Sequence, residues 1–576
     1  MGKGRTNNPR GKILVVGGGP TTFLSIIRSF GRKGFAVHTA NDSTTDLALY
    51  SRYITKAHRI SPSSHAVRRK SDIIQIMREE QFDLVIPVGD QNVIPFQMFR
   101  SEYESNGTVY LLDEHAFEVT NNKILTCQLA RSLRIPIPRS EIISGSGDAS
   151  SVLSGFAFPV MLKPASSYTP ENLVEKSQVK RIDTLKQGEH YLKGMLLTGQ
   201  VLVQEYFEGF GIGLELLAHE GRILTSFQHI RIHEEGKNIG STYRKSQPVD
   251  EHFLSAAEKV ITALHYSGVA MFEFRYNTDL NTWVLIEING RFWGSLPLPL
   301  ACGADFPWYL YQMLVEGRRE FPATYRTGIY CRNTSADLQW ITDTVFHNNF
   351  SKKRYSVFRY LFEFGNVLLL REKNDVFVLD DPSPGIRELS RLIREGVSRL
   401  HRKIRKRFVP VHAYTREHSP DVPLKVKNSH SILFVCYGNI CRSPFAEAYL
   451  RKITPAGIQV SSCGYYPIAD RVCPIDAIVA AQEYGIDLSA HRSRVINDEI
   501  IRNHDIIFIF DEKNFQEMNR RYPRIMSKVW FLSEVTGKEP VPIPDPYGRD
   551  PAVFEEVYKK IVENSTVIAS LVSGSL

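Results

Sequence analysis

The chain has 576 residues, 43% of them hydrophobic and 23% charged, and a formal net charge of +9. That is too long for one core, so roughly three or four globular domains are expected. No apolar run approaches the ~20 residues of a bilayer span, and seven scattered cysteines exclude a disulfide scaffold.

In chain order, Lys12-Ile13-Leu14-Val15-Val16 reads as a strand entering the turn Gly17-Gly18-Gly19, followed by a helix to about Gly34 and a second strand over 36–40. This begins a doubly wound parallel sheet. Asp42 falls where a ribose-binding acid would follow a dinucleotide fingerprint, but Thr22 occupies its third glycine position, which weakens a nicotinamide reading. Residues 83–90 continue the alternation as a buried strand ending in a polar turn. The stretches 122–125, 135–138, 158–164, 201–209, 272–274 and 287–291 are each expected to be a strand or strand end carrying a polar group.

That order and spacing resemble the ATP-grasp superfamily, especially its carboxylate–amine ligase-like members, over about residues 12–320. The resemblance implies a Rossmann-like pre-domain over 1–115, an ATP-grasp domain of two α+β lobes over 116–320 and an extension over 321–385. It implies ATP and Mg²⁺ (or Mn²⁺) as cofactors. Lys123 and Lys163 would neutralise phosphates, Glu205-Tyr206-Phe207 would face adenine, and Glu208 or Glu215 the ribose. Glu273, Glu287 and Asn289 would offer hard oxygens to the metal, and Arg291 would steady an acyl phosphate under attack by an amine. One departure stands out: the flap after Lys163, residues 165–172, contains no glycine.

Short strands are expected over 366–370 and 376–379. From Arg387 to Arg407 nine Lys/Arg face only Glu388 and Glu395, a local charge of 9 − 2 = +7. The basic excess is therefore concentrated, which argues against a nucleic-acid groove. Ile386, Leu389, Leu392, Ile393, Val397, Leu400, Ile404 and Phe408 recur at helical spacing there. Such a helix either docks on its own domain or meets a membrane surface or acidic partner. A linker over 410–428 completes the segment 386–429.

Cys436-Tyr437-Gly438-Asn439-Ile440-Cys441-Arg442-Ser443 lies between the apolar run 431–435 and a helix with Pro444 in its first turn. Backbone N–H groups of such a loop and the helix N-terminus favour a phosphate dianion and a thiolate at Cys436. Arg442 offers a rigid fork for phosphoryl oxygens, Ser443 a hydrogen bond to the sulfur, and Asp545 in Pro544-Asp545-Pro546 a general acid. With His491 and Asp511, these pieces resemble the low-molecular-weight protein-tyrosine-phosphatase family over 430–576.

The resemblance implies a doubly wound parallel-sheet domain, a cysteinyl-phosphate intermediate and no cofactor. Asn439, Ser443 and His491 would hold the loop, and Tyr547 would wall an aromatic ring. Ile440 stands where relatives preferring phosphoarginine carry threonine, which favours phosphotyrosine. The substrate is then a phosphotyrosine protein or small phosphate ester, alongside a small carboxylate and amine for the front half. Cys441 either pairs oxidatively with Cys436 or merely packs. A thiolate enzyme without a secretory signal points to the cytoplasm. The expectation is a bifunctional fusion; its rival is a tyrosine phosphatase regulated by a weakly active ATP- or metabolite-binding module.

Overall fold

The computed structural model describes residues 9–145, 149–170, 172–174, 176–234, 241–346, 363, 366, 371–408, 421–454, 457–537, 541–549 and 551–573. The chain divides into two compact units, residues 1–185 with 200–400 and residues 186–199 with 401–576.

The front unit opens with strands β1 (Lys12–Val16), β2 (Ala36–Asn41), β3 (Ile54–Arg59) and β4 (Leu84–Pro87), all parallel in the order β3-β2-β1-β4. Apolar residues on both faces, such as Ile13 and Val15 on one and Leu14 and Val16 on the other, are fully buried, as a doubly covered parallel sheet requires. The sheet reverses its winding between β1 and β4, and a crevice opens there at the strands' carboxyl ends. Gly17 permits this: its φ is +147°, and a Cβ would lie 2.9 Å from the Val88 carbonyl oxygen at the end of β4.

Two further sheets follow. β5 (Ser140–Ile143), β6 (Val160–Pro164), β7 (Lys180–Ile182) and β8 (Val201–Glu205) form an antiparallel sheet in the order β5-β8-β6-β7. β9 (Phe210–His219), β10 (Arg222–Glu234), β11 (Ser241–Gln247), β12 (Gly268–Asn277), β13 (Thr282–Asn289), β14 (Tyr330–Arg332) and β15 (Glu372–Asn374) form a seven-stranded sheet, β13-β12-β9-β10-β11-β14-β15. In it Glu273 and Glu287 are directly paired across β12 and β13, so their carboxylates share one face.

Some expected strands are absent. Asn122 caps the helix Lys123–Ser132, its Oδ1 accepting from Ile124 N (2.9 Å) and Leu125 N (3.3 Å), so residues 122–125 start a helix. Residues 135–138 join no strand ladder, because alternate prolines remove ladder donors, although the Pro136 carbonyl accepts from Leu285 N (2.7 Å); the strand begins at Ser140. Residues 376–379 form a turn set by Asn374 Oδ1, which accepts from Val376 N and Phe377 N. Of the stretch 366–370, residues 367–370 lie outside the described residues, as do 409–420 of the expected linker; its end is the helix Val422–Lys427.

The C-terminal unit is a four-stranded parallel sheet, β17-β16-β18-β19, of β16 (Ser431–Cys436), β17 (Gln459–Gly464), β18 (Ile506–Ile509) and β19 (Val529–Phe531). Ile432 and Phe434 face one apolar layer, Leu433 and Val435 the other. The central strand β16 therefore delivers Cys436 to a loop followed by the helix Arg442–Ile453.

Candidate active sites

In the C-terminal unit the loop 437–441 closes around the Cys436 sulfur. Sγ accepts from Asn439 N at 3.2 Å and lies 3.1 Å from Ser443 Oγ. Asn439 has φ +52°, a left-handed conformation that asparagine tolerates better than most residues. Its side chain ties the loop together: Nδ2 donates to Ser443 Oγ (2.9 Å) and Ser462 Oγ (2.8 Å), and Oδ1 accepts from Arg494 N (2.7 Å). His491 Nε2 lies 2.9 Å from the Asn439 carbonyl oxygen. Burial pushes the His491 imidazole down in pKa, which suits a neutral ring donating to that carbonyl.

Arg442 is 1% exposed. It is held by Asp511 Oδ2, by the Ile543 carbonyl (2.9 Å) and by Asp545 Oδ2 (3.2 Å). Burial opposes its charge, but Asp545 and Asp511 outweigh burial and raise its pKa. Its Nε is a buried donor without a partner among the described residues, a vacancy that fits an anion's oxygen. Asp511 also caps the helix Glu512–Arg521 through Asn514 N (2.8 Å), so one carboxylate fixes both a helix start and the guanidinium. Asp545 sits with its side chain 43% exposed, at the open side of the site.

Tyr437 and Tyr466 lie with ring centroids 6.3 Å apart, with Lys513 over the former and Arg471 over the latter. Tyr547 is 52% exposed. Ile440 is buried. Cys441 is free and buried, its thiol pushed well up in pKa by burial and then by nearby acid and thiol groups.

Residues 431–573 match the family described as low molecular weight phosphotyrosine protein phosphatase. The probable low-molecular-weight protein-tyrosine-phosphatase EpsP of Ralstonia nicotianae is 35% identical over 131 residues, 23% of this chain and 88% of that protein. This chain belongs to the low-molecular-weight protein-tyrosine-phosphatase family. The phosphatase Etp of Escherichia coli is likewise 35% identical over 130 residues, covering 22% of this chain and 85% of Etp. The family's domain occupies the C-terminal part, so the front unit is additional to it.

That front unit carries an ATP-grasp region: residues 198–336 match the family described as ATP-grasp in the biosynthetic pathway with Ter operon. Among solved structures, the biotin carboxylase domain of Hydrogenobacter thermophilus 2-oxoglutarate carboxylase, in complex with MgADP, ADP and bicarbonate, aligns at 16% identity and a TM-score of 0.46. The alignment covers 56% of this chain and 73% of that one.

Here Lys123, Lys163, Glu273, Glu287, Asn289 and Arg291 converge. Lys123 Nζ donates to Ser167 Oγ (3.1 Å) and lies 3.6 Å from Glu287 Oε1. Burial pushes the Lys163 ammonium down to about 8 despite Glu287. Burial would raise the Glu287 carboxyl, but Lys123, Lys163, Lys176 and Arg291 hold it below its ordinary value. Asn289 Nδ2 donates to Glu273 Oε1 (3.1 Å), and Arg231 grips Glu273 Oε2 at 2.6 Å. Arg291 forms a two-point ion pair with Asp90, which sits beside the crevice between β1 and β4. A polar cavity of about 250 Å³ fills that crevice, lined by Gly17, Asp42, Asp46, Arg69, Asn92 and Arg291 among others. Asp42 lines this cavity, with its Oδ2 paired to buried Arg69 at 3.3 Å.

Glu205 ends β8 and Tyr206 follows it, with Arg181 over the Tyr206 ring (4.6 Å); Phe207 is half-buried and Glu208 exposed. Glu215 lies apart from them, fully buried, accepting from Ser295 Oγ (2.5 Å) and 3.3 Å from His229 Nδ1. Of the two acids expected at a ribose, Glu208 is exposed and Glu215 is buried, with its Oε2 lacking a hydrogen-bond partner among the described residues. Arg231 and Asp90 escaped the sequence reading. Arg231 lies in an alternating strand where only the register to Glu273 reveals it; Asp90 lies in the expected polar turn after β4, three residues beyond Pro87.

Among the described residues, no helix is long and apolar enough to cross a membrane.

Proposed function

We propose that the phosphatase domain hydrolyses phosphomonoesters of the phosphotyrosine type through a thiophosphate bond on Cys436, and that the ATP-grasp unit is an ATP-dependent carboxylate–amine ligase. The observation that carries the first reading is the Cys436 sulfur accepting from Asn439 N and lying beside Ser443 Oγ, with the unpartnered Nε of Arg442 at the start of the helix that follows the loop. Sγ attacks phosphorus in line, the P–O bond to the substrate breaks, and Asp545 gives its proton to the leaving oxygen. Water then attacks phosphorus, Asp545 takes its proton, and the P–S bond breaks to release phosphate. Arg442 holds the equatorial oxygens through both steps. Tyr437, Tyr466 and Tyr547 supply an aromatic rim suited to a phenyl ring, consistent with Ile440.

In the ligase reading a carboxylate takes the terminal phosphoryl group of ATP and an amine displaces phosphate from the acyl phosphate. Lys123 and Lys163 face the phosphates, the segment 205–207 the adenine, and Glu208 the ribose. The donor set Glu273, Glu287 and Asn289 fits a hard divalent cation: all oxygens, with neither sulfur nor imidazole. Bound there, Mg²⁺ would screen charge between phosphate oxygens. Arg291, released from Asp90, would meet the acyl phosphate, and the 250 Å³ cavity beside it would receive carboxylate or amine. Seven reduced cysteines and a thiol nucleophile suit a reducing, cytoplasmic setting.

A second reading, a nucleotide-sensing module, is favoured by one observation. The charged groups of this site already pair with one another, Lys123 with Glu287 and Asp90 with Arg291. Cys436→Ser should abolish aryl phosphate hydrolysis; activity surviving in that variant would sink the phosphatase mechanism. ADP release from the same variant across carboxylate and amine pools tests the ligase, and nucleotide binding without turnover on any pool assigns the sensor.

A further inference from the structure

The first turns of the helix Ser383–Phe408 are fastened to the front unit by a side other than the apolar stripe. Just before it, fully buried Asp381 accepts from Arg28 Nε (2.9 Å), Ser51 Oγ (2.7 Å) and Arg52 N (2.9 Å). Within it, Pro384, Gly385 and Glu388 are buried; a Cβ on Gly385 would lie 2.6 Å from Phe377, and Glu388 accepts from Ser335 Oγ at 2.9 Å. Ile386, Leu389, Ile393 and Val397 fall on the other face and are 53, 55, 57 and 61% exposed. Leu379, 89% exposed, lies just ahead of the helix. An amphipathic helix docked on its own core buries its apolar stripe. This one presents Ile386, Leu389, Ile393 and Val397 to solvent and leaves only Leu392 half-buried, and the sequence continues the stripe at the same spacing through Leu400, Ile404 and Phe408.

The charge on the helix identifies the occupant. Arg387, Arg391 and Arg394 are exposed along one edge of the stripe, with Arg387 packed 3.6 Å over the Tyr50 ring. Of the two acids set against nine Lys/Arg, Glu388 is buried, and burial raises its pKa. A second copy of the same helix would bring like charge against like charge. An anionic lipid surface offers what this face lacks: acidic headgroups for the arginines and an acyl boundary for the isoleucines and leucine.

We infer that the helix Ser383–Phe408 lies in the plane of an anionic lipid surface, its Ile386–Leu389–Ile393–Val397 stripe inserted and its arginines on the lipid phosphates. The full chain holds both units, so they would work beside that surface.

Cosedimentation of the full-length protein with vesicles tests this, comparing phosphatidylcholine alone with an equal mixture of phosphatidylcholine and phosphatidylglycerol. Binding to the mixed vesicles is expected, weakening as salt rises. It should fall at least about tenfold in Leu389→Glu/Ile393→Glu and in Arg391→Glu/Arg394→Glu. All four positions are exposed, so thermal unfolding should be unchanged and confirms that each variant folds. Failure to bind the mixed vesicles, equal binding to phosphatidylcholine alone, or undiminished binding by either variant overturns the inference. So does a wild-type dimer in light scattering that Leu389→Glu/Ile393→Glu makes monomeric, which would assign the face to a second copy.

Discussion

Replacing Asn439 by alanine removes three side-chain hydrogen bonds and leaves a β-carbon at φ +52°. At about 1 kcal/mol net each, the bonds are worth about 3 kcal/mol, and alanine in the left-handed region costs about 1 kcal/mol more. Asn439→Ala is therefore expected to destabilise the phosphatase domain by about 4 kcal/mol, and Asn439→Gly, which escapes the backbone cost, by about 3 kcal/mol. Hydrogen exchange of the β16 amides reports this domain alone; in the alanine variant their exchange should quicken by about 1,000-fold. Both variants also lose the donor that orients Ser443 Oγ beside the Cys436 sulfur, so kcat for an aryl phosphate should fall about tenfold or more with KM little changed. A double-mutant cycle with Ser462→Ala should return a coupling of about 1 kcal/mol. The reasoning is refuted if the glycine variant matches wild type in both exchange and kcat, because the left-handed backbone would then be the residue's whole contribution.

Lys163 is neutral above about pH 8 in the free protein, so nucleotide phosphates should restore its proton. ATP binding near that pH should therefore take up a proton, seen as calorimetric heat that varies with the buffer's ionisation heat and is lost in Lys163→Met; a buffer-independent heat counts against it. The same shift makes folding stability rise with pH from about 8 to 10.5, because the unfolded chain keeps this proton longer. The two acids on Arg442 should separate by kinetics. Asp545→Asn is expected to lower kcat by about 100-fold, most for poor leaving groups, whereas Asp511→Asn weakens phosphate inhibition with a smaller loss of kcat. Identical profiles would remove the distinction. Asp381→Ala strands the buried Arg28 guanidinium and should destabilise the front unit by about 3–5 kcal/mol. Adding Arg28→Met should recover part of that loss; no recovery would show that the pair is not the source.

Both families were legible because their chemistry is local. The residues from Cys436 to Ser443 carry nucleophile, fork and helix start within eight positions, and Asp545 stands out between prolines. Lys123, Lys163, Glu273, Glu287 and Asn289 were each readable as a polar residue in or beside an apolar run, and the structure brings all five together. What escaped depends on pairing across the fold. Nothing around Arg231 announces Glu273 as its partner until β9 sets β10 and β12 on its two sides. Asp90 looks like a turn residue until the reversal between β1 and β4 places it against Arg291, two hundred and one positions away. Glu215 shows the converse: the apolar strand predicts its burial but not its neighbours, Ser295 and His229 at one carboxylate oxygen, with Oε2 left without a hydrogen-bond partner among the described residues.

The basic helix shows the same limit at the surface. Its stripe was plain from helical spacing, but spacing carries no direction, and only Pro384, Gly385 and Glu388 buried against the front unit reveal that the stripe faces out. A helix of this charge with its apolar side inward would be an ordinary docked element. With that side outward, its arginines and its isoleucines point to the same partner, so the direction of docking separates a structural helix from a binding one.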